Sequence, residues 1–208
     1  MDADAVEIRV LGCLIEKQRT TPDTYPLSLN ALRLACNQST NRDPVVDLDE
    51  RAIRYALERL SRKGWVRLAS WPGSRAAKYR HLLDGALALS VPDLALLAVL
   101  MLRGPQTPGE LKSRSERLHR FDSLPDVEAA LETLVARELV ARLPRRPGRK
   151  EVRYRQLLGG EDASGSEVAR EPVLEEGRGN RLETLEARVR AIEEKLSELV
   201  DSLAEPNR

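Results

Sequence analysis

The side chains in this chain best placed to do chemistry are cations on two hairpin-like segments. Pro72-Gly73-Ser74-Arg75-Ala76-Ala77-Lys78-Tyr79-Arg80-His81-Leu82-Leu83 recurs as Pro147-Gly148-Arg149-Lys150-Glu151-Val152-Arg153-Tyr154-Arg155-Gln156-Leu157-Leu158, 75 positions on (147 − 72). Ser61 to Leu83 holds six Lys or Arg and no acid, and Arg142 to Arg155 holds seven against one Glu. Cations at that density bind phosphate oxygens, which supply most non-specific affinity for nucleic acid and make it salt-dependent. Hairpin edges also carry Lys and Arg merely to block strand pairing; recurrence in both copies favours a polyanion. Net charge hides the pattern, because residues 161–208 hold 13 acids and 7 bases and so leave +7 of the total +1 on residues 1–160.

Other chemistries find few residues. Cys13 and Cys36 are the only cysteines and sit among apolar neighbours, as expected of structural thiols in a reduced compartment. His81 and His119 lie 38 positions apart with no further histidine or cysteine at ligand spacing, so no metal or other cofactor is expected. No Gly-rich loop joins a strand to a helix, and no Ser or Cys has a recognisable base. The expectation is a protein that is not an enzyme. The chain has no apolar run of membrane-spanning length, and Met1-Asp2-Ala3-Asp4 is unlike a signal peptide, which predicts a cytoplasmic protein with no membrane partner.

The elements that must position the cations repeat as well. Ile53, Ala56, Leu57, Leu60 and Val66 match Val127, Ala130, Leu131, Leu134 and Val140 at an offset of 74 (127 − 53), and Thr21-Pro22 matches Thr107-Pro108 at 86 (107 − 21). That alignment puts about 12 extra residues in the first copy between its second and third helices, around Asn37 to Leu48. Asp4 with Glu7, and Asp47 with Glu50, have capping-box spacing ahead of helices one and three. Leu29, Leu32 and Leu34 are available for a core from helix two, and Gly64 suits a helix C-terminus. Pro92, and Thr107-Pro108-Gly109-Glu110, punctuate the second copy in the same way.

Each unit thus reads helix, helix, helix, hairpin, the order of a winged helix, whose third helix usually enters the major groove while the wing touches backbone. The expected fold is mainly α with small β wings (α+β): winged-helix domain one over 1–88 and winged-helix domain two over 89–158. A Gly-rich, polar flexible linker follows over 159–180. A heptad helix over 181–204 closes the chain, with Leu182, Leu185, Val189, Ile192, Leu196, Leu199 and Leu203 on its seam. Arg181 and Arg188 at g, with Glu186 and Glu193 at e, suit a parallel homodimer through this coiled coil.

The stretches Leu11-Gly12-Cys13-Leu14-Ile15-Glu16-Lys17, Thr20 to Leu32, Ala35 to Ser39, Arg42-Asp43-Pro44-Val45, Gly73-Ser74-Arg75 and Lys78-Tyr79-Arg80-His81 resemble the YceH-like family of bacterial proteins of unknown function. The resemblance spans roughly residues 6 to 158. It implies a pair of winged helices, a C-terminal coiled-coil segment and no established activity.

The third helices differ in charge. The first shows Arg51, Arg54, Tyr55, Glu58 and Arg62 outward; the second shows Asp126, Glu128, Glu132 and Thr133, with Arg137 only at its end. An acidic helix is repelled by phosphates, so only the first is expected to enter a groove. Asn30, Asn37, Gln38 and Asn41 have side chains able to read adenine but are also the residue types of caps and turns, the reading preferred here. The expected nucleic-acid-binding set is Arg51, Arg54, Arg62, Arg75, Lys78, Arg80, Arg145, Arg146, Arg149, Lys150 and Arg153, acting on double-stranded DNA. The alternative is an interaction scaffold that binds protein through its acidic third helix and tail, without nucleic acid.

Overall fold

A computed structural model describes residues 3–69, 77–145 and 151–159, all within one compact unit. The wing-tip cations Arg75, Arg146, Arg149 and Lys150 lie outside the described residues, as do the linker from 160 onward and the heptad seam Leu182 to Leu203. The described fold is α+β. The first unit comprises α1 (Ala5–Thr20), a 3-10 turn (Pro22–Thr24), β1 (Leu27–Ser28), α2 (Leu29–Cys36), α3 (Glu50–Arg62), β2 (Val66–Leu68) and β3 (Lys78–His81). A short α4 (Leu83–Ala86) leads into α5 (Val91–Arg103), α6 (Pro108–Ser115), α7 (Leu124–Ala136), β4 (Val140–Leu143) and β5 (Arg153–Gln156).

Helix caps put the two units in register more securely than side-chain likeness does. Asp4 and Ser90 are the N-caps of α1 and α5, each with a reciprocal capping box, and lie 86 apart (90 − 4). Ser28 and Thr107 cap α2 and α6, 79 apart (107 − 28), and Asp49 and Ser123 cap α3 and α7, 74 apart (123 − 49). The extra 12 residues of the first unit are therefore split, seven before α2 and five between α2 and α3. Thr21-Pro22 keeps the helix-one offset of 86 but opens the 3-10 turn; the capping counterpart of Thr107 is Ser28.

Two further expectations are corrected. Asp49, not Asp47, caps α3, accepting from the Ala52 amide at 2.7 Å. The Asn37 side chain donates to the Leu48 carbonyl (2.9 Å) and accepts from the Leu48 amide (2.8 Å), which holds residues 47 and 48 in the loop and delays the helix. Leu34 is 57% exposed. Leu32, Ala35 and Cys36 take the inward stripe of α2, and a residue two positions after Leu32 points to the opposite side.

The strands repeat the register. Val66 faces His81, Arg67 faces Arg80 and Leu68 faces Tyr79; Val140 faces Gln156, Ala141 faces Arg155 and Arg142 faces Tyr154. Leu27 opposes Tyr79 on the far side of β3, and an isolated bridge sets Gln106 against Tyr154. Even the left-handed residue after the third helix recurs, as Gly64 (φ 72°) and Glu138 (φ 55°).

Both units share one continuous core that includes Leu11, Leu14 and Ile15 of α1, Ile53 and Leu60 of α3, Leu97 and Leu100 of α5 and Leu131 and Leu134 of α7. The helix-one equivalents α1 and α5 make the most extensive packing in the fold. At Gly12 a Cβ would lie 3.0 Å from both Met101 and Leu102, so the missing side chain sets how closely these helices approach. The outer ends of the two units meet too: the Ala3 amide donates to the Leu158 carbonyl at 3.1 Å, and in the connector the Leu89 amide donates to the Asp84 carbonyl at 2.8 Å.

Candidate nucleic-acid interface

On α3, Ile53, Ala56, Leu57 and Leu60 turn inward at helical spacing and leave Arg51, Arg54, Tyr55, Glu58 and Arg62 exposed. Arg54 is paired with Glu50 one turn back, with both side chains more than half exposed. Such a surface pair contributes little stability and yields readily to a phosphate. Arg59 is committed elsewhere: it binds Glu7 at 3.0 Å, and its guanidinium lies 5.8 Å from the Tyr55 ring centroid.

The outward face of the first sheet carries a second group of cations. Alternation along β3 puts Tyr79 and the buried His81 on one face and Lys78 and Arg80, both half-buried, on the other. Arg80 stands opposite Arg67 in the ladder. Like charges directly opposite each other weaken a sheet, yet Arg67, Lys78 and Arg80 make no ion pair with any described acid. The buried Nε of Arg80 has no hydrogen-bond acceptor among the described residues.

In the second unit the same alternation places Tyr154 and Gln156 inward and Arg153 and Arg155 on the other face, with Arg145 exposed just beyond β4. Arg67 and Arg155 were absent from the sequence-derived set. The signal was present as the two-residue period of Lys78/Arg80 and Arg153/Arg155, but Arg67 acquires its place only through the ladder. The exposed polar residues of α7 include Asp126, Glu128, Glu132 and Thr133, with Arg137 exposed at its C-cap. Arg137 donates to the Leu87 and Ala88 carbonyls and so serves the junction between the units. A groove of about 460 Å³ beside α7 is lined by Asp93, His119, Arg120, Asp122, Asp126 and Thr133 among others.

The loop between α2 and α3 sets where α3 begins. Arg42, whose side chain is 0% exposed, clasps both oxygens of Glu16 on α1 (2.6 and 3.1 Å). It also donates to the Ala35 and Asn41 carbonyls and to Gln38 Oε1. Asn37, Gln38 and Asn41 are therefore structural: Asn37 bridges to Leu48, Gln38 accepts from Arg42 and Asn41 accepts from Arg103. Arg9 donates to the Cys36 carbonyl at 3.2 Å and the Pro44 carbonyl at 2.6 Å. Cys13 and Cys36 are free and buried against each other, and the Cys36 thiol is held well above its ordinary range by its hydrogen bond to Cys13 and by burial. Among the described residues no cluster of His, Cys, Asp and Glu has metal-binding geometry, and no helix is long and apolar enough to cross a membrane.

His81 anchors the sheet to α1. Its Nε2 lies 2.6 Å from Gln18 Oε1, and its backbone amide donates to the Tyr25 hydroxyl at 2.9 Å. Burial holds the imidazole pKa down to about 4 and pushes the Tyr25 phenol up to about 12. A folded pKa below the unfolded value of about 6.5 means that the unfolded chain binds more protons between pH 6.5 and 4. Stability from this site is thus full above pH 6.5 and falls as pH drops through that window, by up to about 3 kcal/mol. The counterpart of His81 is Gln156, also buried. His81→Gln is expected to retain the fold and flatten the pH dependence of urea denaturation between pH 6.5 and 4.5; an unaltered profile would show that the imidazole is not the titrating group.

A family described as protein of unknown function, DUF480, matches residues 3–149, from the strand-like start before α1 to beyond β4. The chain belongs to that family. Its relatives within the family are bacterial UPF0502 proteins. One from Geotalea daltonii is 56% identical over 169 residues, covering 80% of this chain and 77% of that protein. One from Shewanella sp. (strain ANA-3) is 46% identical over 214 residues, covering 98% and 96%. One from Azotobacter vinelandii is 47% identical over 188 residues, covering 88% and 83%. Family membership over this span takes in both helical units, α3 and the whole first sheet, whereas β5 with Arg153 and Arg155 lies just past the matched residues.

Proposed function

We propose that the chain is a cytoplasmic, non-enzymatic DNA-binding protein made of two tandem winged helices, with α3 as the groove reader and both hairpins holding phosphates. Self-association through the heptad segment 181–204 belongs to the same proposal. The observation that carries it is the outward face of the first sheet, where Arg67 and Arg80 face each other beside Lys78 with no described acid to neutralise them. A polyanion offsets that repulsion, and Arg51, Arg54 and Arg62 add exposed cations on α3, the helix that precedes β2.

If six of these side chains each neutralise one phosphate, the log-log dependence of duplex affinity on salt has a slope of roughly −5. Fluorescence anisotropy of the full chain with random duplex between 50 and 200 mM salt is expected to show it. Binding without salt dependence, or none at the lowest salt, rejects the reading. The second reading, a protein-interaction scaffold, is favoured by the acidic exposed face of α7 and the groove beside it.

A further inference from the structure

We infer that the chain reads DNA with one of its two units only, so that each chain takes a single asymmetric half-site, and that Glu128 is the residue that keeps the second unit out of a groove. This rests on the DNA-binding reading above. The most extensive packing joins equivalent helices, α1 and α5. The start of the first unit is hydrogen-bonded to the end of the second, through Ala3 and Leu158, while the chain itself joins the start of the second to the end of the first, where the Leu89 amide donates five residues back to Asp84. Equivalent patches meeting each other are the mark of an isologous, two-fold interface. The single chain therefore presents its two third helices as a two-fold dimer presents its own.

Dimers of this kind use both recognition helices and bind inverted repeats. Here the two helices share their scaffold and differ in what they display. The N-caps Asp49 and Ser123 set an offset of 74 between α3 and α7 (123 − 49). At that offset Arg54 becomes Glu128, Tyr55 becomes Ala129, Arg62 becomes Ala136 and Arg51 becomes Pro125. All eight positions are exposed, so core packing dictates none of these exchanges. The cap, the inward stripe, the left-handed residue at 64 and 138 and the strand register are all retained. The second unit has the same element order, caps and register as the first without its cationic helix surface. A carboxylate where the first unit offers a guanidinium meets phosphate with repulsion in place of attraction.

The test uses the full chain and duplexes selected from a random pool, with binding stoichiometry measured by sedimentation. Wild type is expected to take one asymmetric half-site per chain, so that a self-associated pair holds two half-sites at two chains per repeat. Grafting the first reader onto the second, as Glu128→Arg with Ala129→Tyr and Ala136→Arg, is expected to extend the site to an inverted repeat. One grafted chain then covers the whole repeat, with affinity about tenfold or more above that for a half-site, the equivalent of one good base contact. Circular dichroism melts confirm that the graft folds. Wild type binding an inverted repeat at one chain per repeat overturns the inference alone, as does a folded graft whose site is unchanged. Failure of wild type and graft to bind any duplex at low salt instead overturns the DNA-binding reading, and this inference with it.

Discussion

Arg67→Glu, Lys78→Glu and Arg80→Glu together are expected to lower duplex affinity by roughly 100- to 1,000-fold at 0.1 M salt. Each phosphate contact contributes about 0.9 to the log-log salt slope, so losing three flattens the slope by about 2.7, and reversal adds repulsion to the loss. Stability should move little, because residues 67 and 80 face each other across the ladder and remain like-charged after the exchange. Arg80→Glu alone separates the two effects. It leaves Arg67 opposite an acid, so it should gain a few tenths of a kcal/mol in stability while losing affinity. Titration by anisotropy beside a thermal melt reads both quantities. A folded triple variant within twofold of wild-type affinity removes the sheet face from the interface.

Arg42→Met is expected to cost about 3 to 5 kcal/mol of folding stability, the range for breaking one side of a buried pair. The guanidinium is completely covered and ties α1 through Glu16 to the end of α2 through Ala35 and to the loop through Gln38 and Asn41. Its removal strands a carboxylate whose side chain is only 15% exposed and frees two carbonyls. Adding Glu16→Gln should recover part of the loss, since no unpaired charge then remains. Urea denaturation at pH 7 measures both variants, and a loss below about 1 kcal/mol for the single change shows the clasp to be incidental. The neighbouring Asp43 amide donates to the Leu102 carbonyl at 2.8 Å, so the same loop also joins the units. A loosened clasp should therefore lower the melting temperature of the whole described core as one transition.

The sequence alone determined the repeat, the order of elements, most helix starts and the location of the charge. Those features are local: a cap satisfies amides two or three residues away, a helical stripe is read from spacings of three and four, and a cationic segment is cationic in any fold. Asp4 with Glu7, Thr107 with Glu110 and the inward stripe of α3 were legible for that reason. Local likeness also misled where two turns looked alike, as at Thr21-Pro22, and where Asp47 mimicked a cap that Asp49 supplies. Only the tertiary structure decided which residues meet across the chain: Arg67 with Arg80, Arg42 with Glu16, Cys13 with Cys36 and α1 with α5. These partners lie from 13 to more than 80 positions apart, and no spacing rule links them; ladder register and core packing bring them together, and the charge environment of each follows from that placement.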